Sequence, residues 1–187
     1  MNNKNTNRAV FIAGENLLLC PQCEEDAKRN TMWINDPQVR KYLTTRKPIT
    51  PMEGVEWIKN NSKSNKDIVF AVVKKDNMEH IGNMGLHHID WITGTAVFGF
   101  MIGEKKYWEN RYGTEMLKLM LEYAFNTLGL RRLESCALSP NKGSIKVHKK
   151  CGFRVVGVLK KKHLIEGKYL DDTLFEILRE DWIKIKK

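Results

Sequence analysis

The chain has few of the features that mark extracellular or membrane proteins. Four cysteines among 187 residues are too few and too scattered for a secreted disulfide framework, so we expect free thiols. No run of residues approaches the ~18 consecutive apolar positions of a membrane span. The polar start, MNNKNTNR, lacks the apolar segment of a secretory signal. These absences predict a cytoplasmic protein with no membrane association.

Only two of the cysteines stand close together, and the chain offers them no partners for a metal ion. Cys20 and Cys23 have the spacing of half a zinc site, but a closed tetrahedral site needs four ligands and no second pair follows. The nearest histidine, His80, lies far along the chain. We therefore interpret the pair as a strand end that turns into a helix, and we expect no bound metal.

Charge, in contrast, is abundant and unevenly placed. The formal net charge is +10, and the segment from Pro140 to Lys187 contains 13 Lys and Arg against 6 Asp and Glu. A basic surface attracts phosphate groups, whether of nucleic acid, acidic lipid or a nucleotide cofactor. A solvated, lysine-rich surface is the competing interpretation for most of these side chains.

Hydrophobic periodicity predicts one domain at residues 9–187, after a disordered start at residues 1–8. Its elements run as a strand, two helices, three antiparallel strands, a helix, a strand, a helix and a hairpin. This order is typical of an α/β (α+β) fold with a central mixed, mostly antiparallel sheet flanked by helices. Strands are predicted at 16–20, 68–73, 81–89, 96–102, 132–138, 153–159 and 173–178, and helices at 24–33, 50–60, 114–128 and 143–150.

The most informative stretch joins the strand that ends near Ile102 to the strongest predicted helix. A turn that contains Gly113 separates them, and the helix begins at once. Such a junction directs unpaired backbone N–H groups and the positive end of a helix dipole at one point, which suits a pyrophosphate. A plain connection between a strand and a helix would have the same pattern.

Four motifs together resemble the GNAT acetyltransferase superfamily over nearly the whole chain. Within it, the chain resembles the ribosomal-protein N-terminal acetyltransferases and the bacterial spermidine acetyltransferases. The resemblance implies an acetyl-CoA-dependent N-acetyltransferase whose acceptor amine attacks the thioester directly. The motifs are DPQVRKY at Asp36–Tyr42, FMIG leading into YWENRYGTE at Phe100–Glu115, PNKGSI leading into KCGF at Pro140–Phe153, and IEGKYLD at Ile165–Asp171.

The resemblance also implies which residues bind acetyl-CoA. A turn rich in glycine normally cradles the pyrophosphate on its backbone amides, and this chain departs from that pattern at Arg111. A side chain there either hinders close approach of the backbone or adds a cation beside the phosphates. By position, the cradle consists of Asn110, Arg111, Tyr112, Gly113 and Thr114.

Two further segments complete the implied cofactor site. The strand residues Met101, Ile102 and Gly103 would pair with the pantetheine arm, whose amides behave like an added strand. Asn141 and Ser144, at the start of the following helix, would contact the cofactor, although an asparagine there also makes an ordinary helix cap.

The resemblance makes His148 the candidate general acid, because many relatives carry there a tyrosine that protonates the departing CoA thiolate. An imidazole, with an ordinary pKa of ~6.5, is able to donate a proton near neutral pH. A packing histidine is the competing interpretation. The base that deprotonates the amine stays open among four candidates, acting directly or through water: His87, His88, Asp90 and Glu134.

The sequence leaves the acceptor undecided among a protein N-terminus, a polyamine and an amino sugar. We expect the loop from Asn35 to Thr50 to shape the acceptor pocket. Two other functions remain open: an acyl-CoA sensor without turnover, and a basic nucleic-acid-binding module. The chain has no zinc-finger or aromatic RNA-binding motif to support the nucleic-acid-binding module. We therefore expect contact with nucleic acid only through a ribosomal substrate. A homodimer is compatible with this interpretation.

Overall fold

An eight-stranded sheet runs through the protein, of which the computed structural model describes residues 8–186. The strand order is β1-β2-β3-β4-β5-β6-β8-β7, and every neighbouring pair is antiparallel except β5 and β6, which are parallel. The predicted α/β (α+β) class with a mixed, mostly antiparallel sheet is confirmed. The strands are β1 (Ile12–Ala13), β2 (Leu17–Pro21), β3 (Ile68–Lys74), β4 (His80–Asp90), β5 (Thr95–Ile102), β6 (Arg132–Leu138), β7 (Arg154–Ile165) and β8 (Lys168–Leu178).

Within the described part of the chain, six α-helices flank the sheet. The capping box predicted at Thr50 is present, since the Thr50 hydroxyl accepts from the Glu53 N–H and the Glu53 carboxylate accepts from the Thr50 N–H. The sequence pattern does not predict β1, α2 or α6, because elements this short carry little periodicity. The helices are α1 (Asp26–Asn35), α2 (Pro37–Arg40), α3 (Pro51–Lys63), α4 (Tyr112–Glu122), α5 (Lys142–Lys150) and α6 (Arg179–Lys186).

Helix α4 supplies a continuous apolar face to the core. Met116, Leu117, Met120 and Leu121 lie at helical spacing and are at most 1% exposed. Burial of each such side chain contributes about 1.5–3 kcal/mol. The helix continues through a π-helical turn, Tyr123–Thr127, which extends it to the length predicted from the sequence. Its position against the sheet fixes where its N-terminus lies.

The predicted disordered start is described in part only. Residues 1–7 lie outside the described residues, but Arg8 is placed and its guanidinium forms an ion pair with the buried Asp26. Asp26 also lies 3.1 Å from His80 Nδ1. Cys20 and Cys23 stand where β2 ends before α1, and all four cysteines are free thiols, as expected. Within residues 8–186, no helix is long and apolar enough to cross a lipid bilayer.

Gly103, directly after β5, is required by the packing of α1. A Cβ atom at this position would lie 1.9 Å from Cδ2 of Trp33. Trp33 is itself buried, and its indole N–H donates to Glu104 Oε1 at 3.1 Å. The tryptophan thus holds the start of the segment that leads to α4.

We predict that Gly103→Ala lowers the free energy of unfolding by about 1–3 kcal/mol, because the added methyl group forces Trp33 out of its place. Gly157→Ala is the matched control, since a Cβ there would meet no atom within 4 Å. Urea unfolding of both variants and the parent measures the effect. Equal stability of the two variants would contradict this account of Gly103.

Candidate active site

A cleft opens where strands β5 and β6 separate. The two strands pair over only three residues each, Thr95–Val97 with Arg132–Glu134, although β5 continues to Ile102 and β6 to Leu138. At the point of separation the Ser135 hydroxyl donates to the Phe98 carbonyl oxygen at 2.9 Å. Beyond this bond the β6-facing edge of β5 has no strand partner among the described residues, although the Trp108 indole N–H donates to the Ile102 carbonyl oxygen at 2.8 Å. An extended ligand with amide groups is able to add to the groups that remain.

Strand alternation decides which residues of β5 offer their backbone to the cleft. Because the Phe98 carbonyl faces β6, the backbone groups of Phe100 and Ile102 face the same way, and those of Met101 face β4. The Gly103 N–H also turns towards β4, where it donates to the Ile81 carbonyl at 2.9 Å. Of the three predicted pantetheine contacts, Ile102 alone has its backbone on the cleft side. Phe100 also has its backbone on the cleft side, although the sequence motifs do not predict it as a pantetheine contact.

The predicted pyrophosphate cradle forms the N-terminus of α4. The helix begins at Tyr112, and its cap residue, Arg111, makes no side-chain cap hydrogen bond. The Thr114 N–H donates to the Arg111 carbonyl at 3.0 Å. The first-turn N–H groups of Tyr112 and Gly113 therefore remain for an anion. This donor set fits a pyrophosphate.

Arg111 of the cradle and Glu109, just before it, have left-handed backbone conformations. Glu109 has φ 65° and Arg111 has φ 64°, values that favour glycine. Such a conformation costs roughly 1–2 kcal/mol for other residues. Between them, the Asn110 side-chain amide donates to the carbonyls of Lys106 and Trp108, each at 3.2 Å, which holds the loop in place. The sequence shows the departure at Arg111, whereas Glu109 carries no signal of its conformation.

Gly113 serves packing in addition to its place in the cradle. A Cβ atom there would lie 3.3 Å from Phe100 Cε2 and 3.5 Å from Val147 Cγ2. The first turn of α4 is therefore wedged between β5 and α5. A small residue at this position lets the helix end approach the cleft.

Asn141 and Ser144 occupy the first turn of α5 beside the cleft. The Asn141 Oδ1 atom accepts from the Ser144 N–H at 3.1 Å, which is the geometry of an ordinary helix cap. The Asn141 side-chain amide N–H groups make no hydrogen bond within residues 8–186, so the cap leaves donors for a ligand. Cofactor contact by these two residues stays a prediction.

His148 lies in the core and not at the cleft surface. The side chain is 1% exposed, and its ring stacks on Phe175 with centroids 4.7 Å apart, with Phe98, Phe100 and Phe153 close by. These contacts favour the packing interpretation. The nearest link to the cleft is the Ser135 hydroxyl, 2.8 Å from Nε2.

The hydrogen bonds of His148 also bear on its protonation. Nδ1 lies 2.8 Å from the Ser144 carbonyl oxygen, which only accepts, so the proton of a neutral ring resides on Nδ1. Burial lowers the pKa of His148, which favours this neutral form near pH 7. In this form Nε2 carries no proton, and the single proton of the Ser135 hydroxyl is directed either to Nε2 or to the Phe98 carbonyl oxygen, not to both. Catalysis by His148 stays a prediction, but its surroundings favour a structural role.

The candidate bases lie in different surroundings. His88 has φ 51° and an exposed side chain. The Asp90 carboxylate accepts from the N–H groups of the hairpin turn that follows β4. Glu134 pairs with Arg132 at 3.0 Å. His87 alone is held by a carboxylate, with Nδ1 lying 3.2 Å from Asp67 Oδ1.

The loop that was expected to shape the acceptor pocket is closed at its base. The Asn35 side chain donates to the Ile49 carbonyl at 2.7 Å and accepts from the Ile49 N–H at 2.9 Å.

Within residues 8–186, no group of three or more His, Cys, Asp or Glu side chains is arranged to hold a metal ion.

The match to a family model agrees with this geometry. The acetyltransferase (GNAT) domain model matches residues 16–154, and the chain belongs to the GNAT acetyltransferase family. It is an acetyl-CoA-dependent acetyltransferase, with acetyl-CoA as its cosubstrate.

The chain is also similar to bacterial N-acetyltransferases and to solved structures of this fold. The uncharacterized N-acetyltransferase p20 of Bacillus licheniformis is 27% identical over 84% of this chain and 90% of its own length. The putative ribosomal N-acetyltransferase YdaF of Bacillus subtilis is 27% identical over 54% of this chain and 55% of its own. The spermidine N-acetyltransferase of Vibrio cholerae, solved with CoA and spermine, superposes with a TM-score of 0.84 at 21% identity, covering 90% of this chain and 98% of its own. At that identity the likeness shows the fold alone.

We predict opposite effects on acetyl-CoA affinity from two matched glycine substitutions, one at Glu109 just before the cradle and one at Arg111 within it. Glu109→Gly removes an anion beside the phosphates and should tighten binding about 3- to 5-fold, whereas Arg111→Gly removes a cation and should weaken binding by a similar factor. Both should raise the melting temperature, because each relieves a left-handed conformation. Calorimetric titration at low salt measures affinity. Changes of the same sign would remove these side chains from the phosphate site.

We also predict that His148 makes stability dependent on pH. Because its folded pKa is lowered, the unfolded state takes up the proton first, so this contribution to stability is full above pH ~6.5 and declines as the pH falls through ~6.5 towards the folded value. The difference in free energy of unfolding between the parent and His148→Gln should therefore shrink from pH 8 to pH 5. Urea unfolding across that range measures it, with the exposed-site variant His88→Asn as control. A difference that grows in acid would contradict the neutral, buried state.

Proposed function

We propose that the protein transfers the acetyl group of acetyl-CoA to a primary amine by direct attack of the neutral amine on the thioester. The observation that carries this proposal is the open edge of β5, which leads from the separation of β5 and β6 to the N-terminus of α4. One continuous cleft thus joins a strand-like site for amides to an anion cradle. The one thiol on β6, Cys136, has its pKa raised by desolvation and by the nearby Asp172 carboxylate, which makes it a poor nucleophile and supports direct transfer over an acyl-enzyme.

In the proposed reaction the amine nitrogen forms a bond to the acetyl carbon as the bond between that carbon and sulfur breaks. The amine must first lose a proton, because an ammonium has no lone pair, and α-amino groups and lysine-like amines have pKa values of about 8 and 10. The second amine proton leaves as the amide forms, and the departing thiolate takes it up, directly or through water. His148 is not required as the donor in this scheme.

The charges beside the cleft favour an acceptor that presents a single ammonium group. The strand register places Glu134, Glu176 and Asp172 on one face of β6 and β8, where Glu176 and Asp172 are buried. Each of these carboxylates already has a basic partner: Arg132 lies 3.0 Å from both glutamates, and Lys162 lies 3.0 Å from Asp172. A polyamine needs several unpaired carboxylates in a row, and this face offers none among the described residues. We therefore propose a peptide N-terminus or an amino sugar as the acceptor class.

The test is CoA release, followed with a free-thiol reagent, from acetyl-CoA and a panel of three amines: a tripeptide with a free N-terminus, glucosamine and spermidine. We predict turnover with the tripeptide or glucosamine at a kcat/KM at least 10-fold above that for spermidine. The same tripeptide with an acetylated N-terminus is the matched control and should give only background release.

Each other outcome selects another function. Saturable acetyl-CoA binding by calorimetry without turnover of any amine would identify a sensor and not an enzyme. Absence of binding, with no shift in melting temperature at saturating acetyl-CoA, would refute the site. Salt-sensitive RNA binding in place of both would select the nucleic-acid module. Preference for spermidine would overturn the acceptor class alone.

A further inference from the structure

His87 lies over a strip of the sheet that has no side chains. Gly85 on β4 and Gly99 on β5 are register partners, and Cβ atoms built on them would lie 3.2 Å and 3.9 Å from His87 Nε2. The two glycines thus form a bare floor beneath the imidazole. The His87 side chain is 32% exposed, so the space above this floor is open to a ligand.

Asp67 fixes the orientation of the His87 ring. Its carboxylate accepts from His87 Nδ1 at 3.2 Å, from the His88 N–H at 3.3 Å and from the Ser64 hydroxyl at 2.8 Å. Partial burial disfavours ionisation, but these donors outweigh it and lower the pKa of Asp67. An ionised carboxylate only accepts, so the proton of a neutral His87 ring resides on Nδ1. Nε2 then carries a lone pair directed over the glycine floor.

The register relates this floor to the cleft. Val97 pairs with His87 on one side and with Glu134 on the other, so the three side chains form one row on the same face of the sheet. The next row along β5 begins at Gly99, where β5 has already separated from β6. His87 Nε2 therefore lies one row from the opening in the sheet. An acceptor amine that reaches the thioester through this opening passes the imidazole.

We propose that His87 is the catalytic base that removes a proton from the acceptor ammonium, and that Asp67 is its positioning residue. This inference rests on the proposed function and adds a residue to it. The ammonium proton moves to His87 Nε2, and the amine lone pair that is released attacks the acetyl carbon as the bond between that carbon and sulfur breaks. The second amine proton passes to the departing thiolate, directly or through water. The resulting imidazolium is stabilised by Asp67 and returns its proton to solvent after the product leaves. The atoms and charges balance without any other reactant.

Few other titratable groups face this histidine. From the loop before β3 comes Asp67, and within Ile68–Val73 and Thr95–Ile102 the neighbouring strands have no titratable side chain. Glu134 stands beyond Val97 and is paired with Arg132. On its own strand, His88 adjoins it and has an exposed side chain. The pH response of the base should therefore depend mainly on the His87–Asp67 pair.

The other candidate bases lack this arrangement. The left-handed backbone of His88 interrupts the register between His87 and Asp90, and no carboxylate contacts its ring within residues 8–186. Asp90 is engaged with backbone N–H groups of the turn, and Glu134 is engaged with Arg132.

The experiment compares His87→Gln with His88→Asn, a matched control because asparagine tolerates a left-handed backbone. We predict that His87→Gln lowers kcat/KM for the tripeptide or glucosamine about 100-fold at pH 7, with acetyl-CoA affinity and melting temperature unchanged. The loss should diminish towards pH 9.5, because more of the amine is already neutral there. His88→Asn should keep the parental rate and pH profile. Asp67→Asn should lower kcat at least 10-fold at pH 7, since the ring then loses its fixed tautomer.

The outcomes separate this proposal from the proposed function. A parent protein that turns over the amines, with His87→Gln at the parental rate across pH 6–9.5, overturns the base and leaves the acetyltransferase intact. A rate loss that is equal at all pH values shows that His87 is only structural, which also overturns the base. A parent that binds acetyl-CoA and acetylates none of the amines overturns the proposed function, and the base with it.

Discussion

The structure depends on one interrupted pairing between parallel strands. Strands β5 and β6 share three residue pairs and then separate, although each continues for several residues. Backbone hydrogen-bonding groups are rarely left without partners in a folded protein, so a strand edge that opens inside a sheet needs a ligand, water or side chains to satisfy it. Ser135 meets this need at the point of separation, where its hydroxyl bonds the Phe98 carbonyl. Farther along, the Trp108 indole N–H donates to the Ile102 carbonyl oxygen, and the backbone groups that remain on this edge are available to the amides of acetyl-CoA.

The core beneath this opening contains a buried histidine, His148, which the surrounding aromatic rings shield from water. His148 is enclosed by phenylalanines, and its two ring nitrogens bond Ser135 and the Ser144 carbonyl. An unsatisfied buried polar group would cost about 1–3 kcal/mol. This bonding links α5, β6 and β5 at the level where the strands diverge, so the same histidine that resembles a catalytic tyrosine by position holds the opening in shape.

At the α4 end of the cleft, two charged residues have strained, left-handed backbone conformations. Glu109 and Arg111 adopt conformations that glycine would adopt more easily, and both lie beside the free N–H groups of α4. Backbone strain of this kind persists where the surrounding structure enforces it, and it concentrates at ligand sites. Here the loop is held in this conformation by the packing of Trp33 against Gly103 and by the hydrogen bonds of the Asn110 side chain. A family known for glycine at such turns therefore includes a member that builds a similar loop from charged residues.

Much of this protein was determined by its sequence alone. Period-two and helical spacing predicted most strands and helices, the capping box at Thr50 marked α3, and motifs in a fixed order indicated the family and its cosubstrate. These signals are local, because they depend on contacts between residues close in the chain. Tertiary structure decided the rest: which of Met101, Ile102 and Gly103 faces the cleft, that His148 is buried, and that Asp67 holds His87. Each of these follows from the register between strands and from packing across the sheet, which depend on residues far apart in the chain, and no local pattern records them.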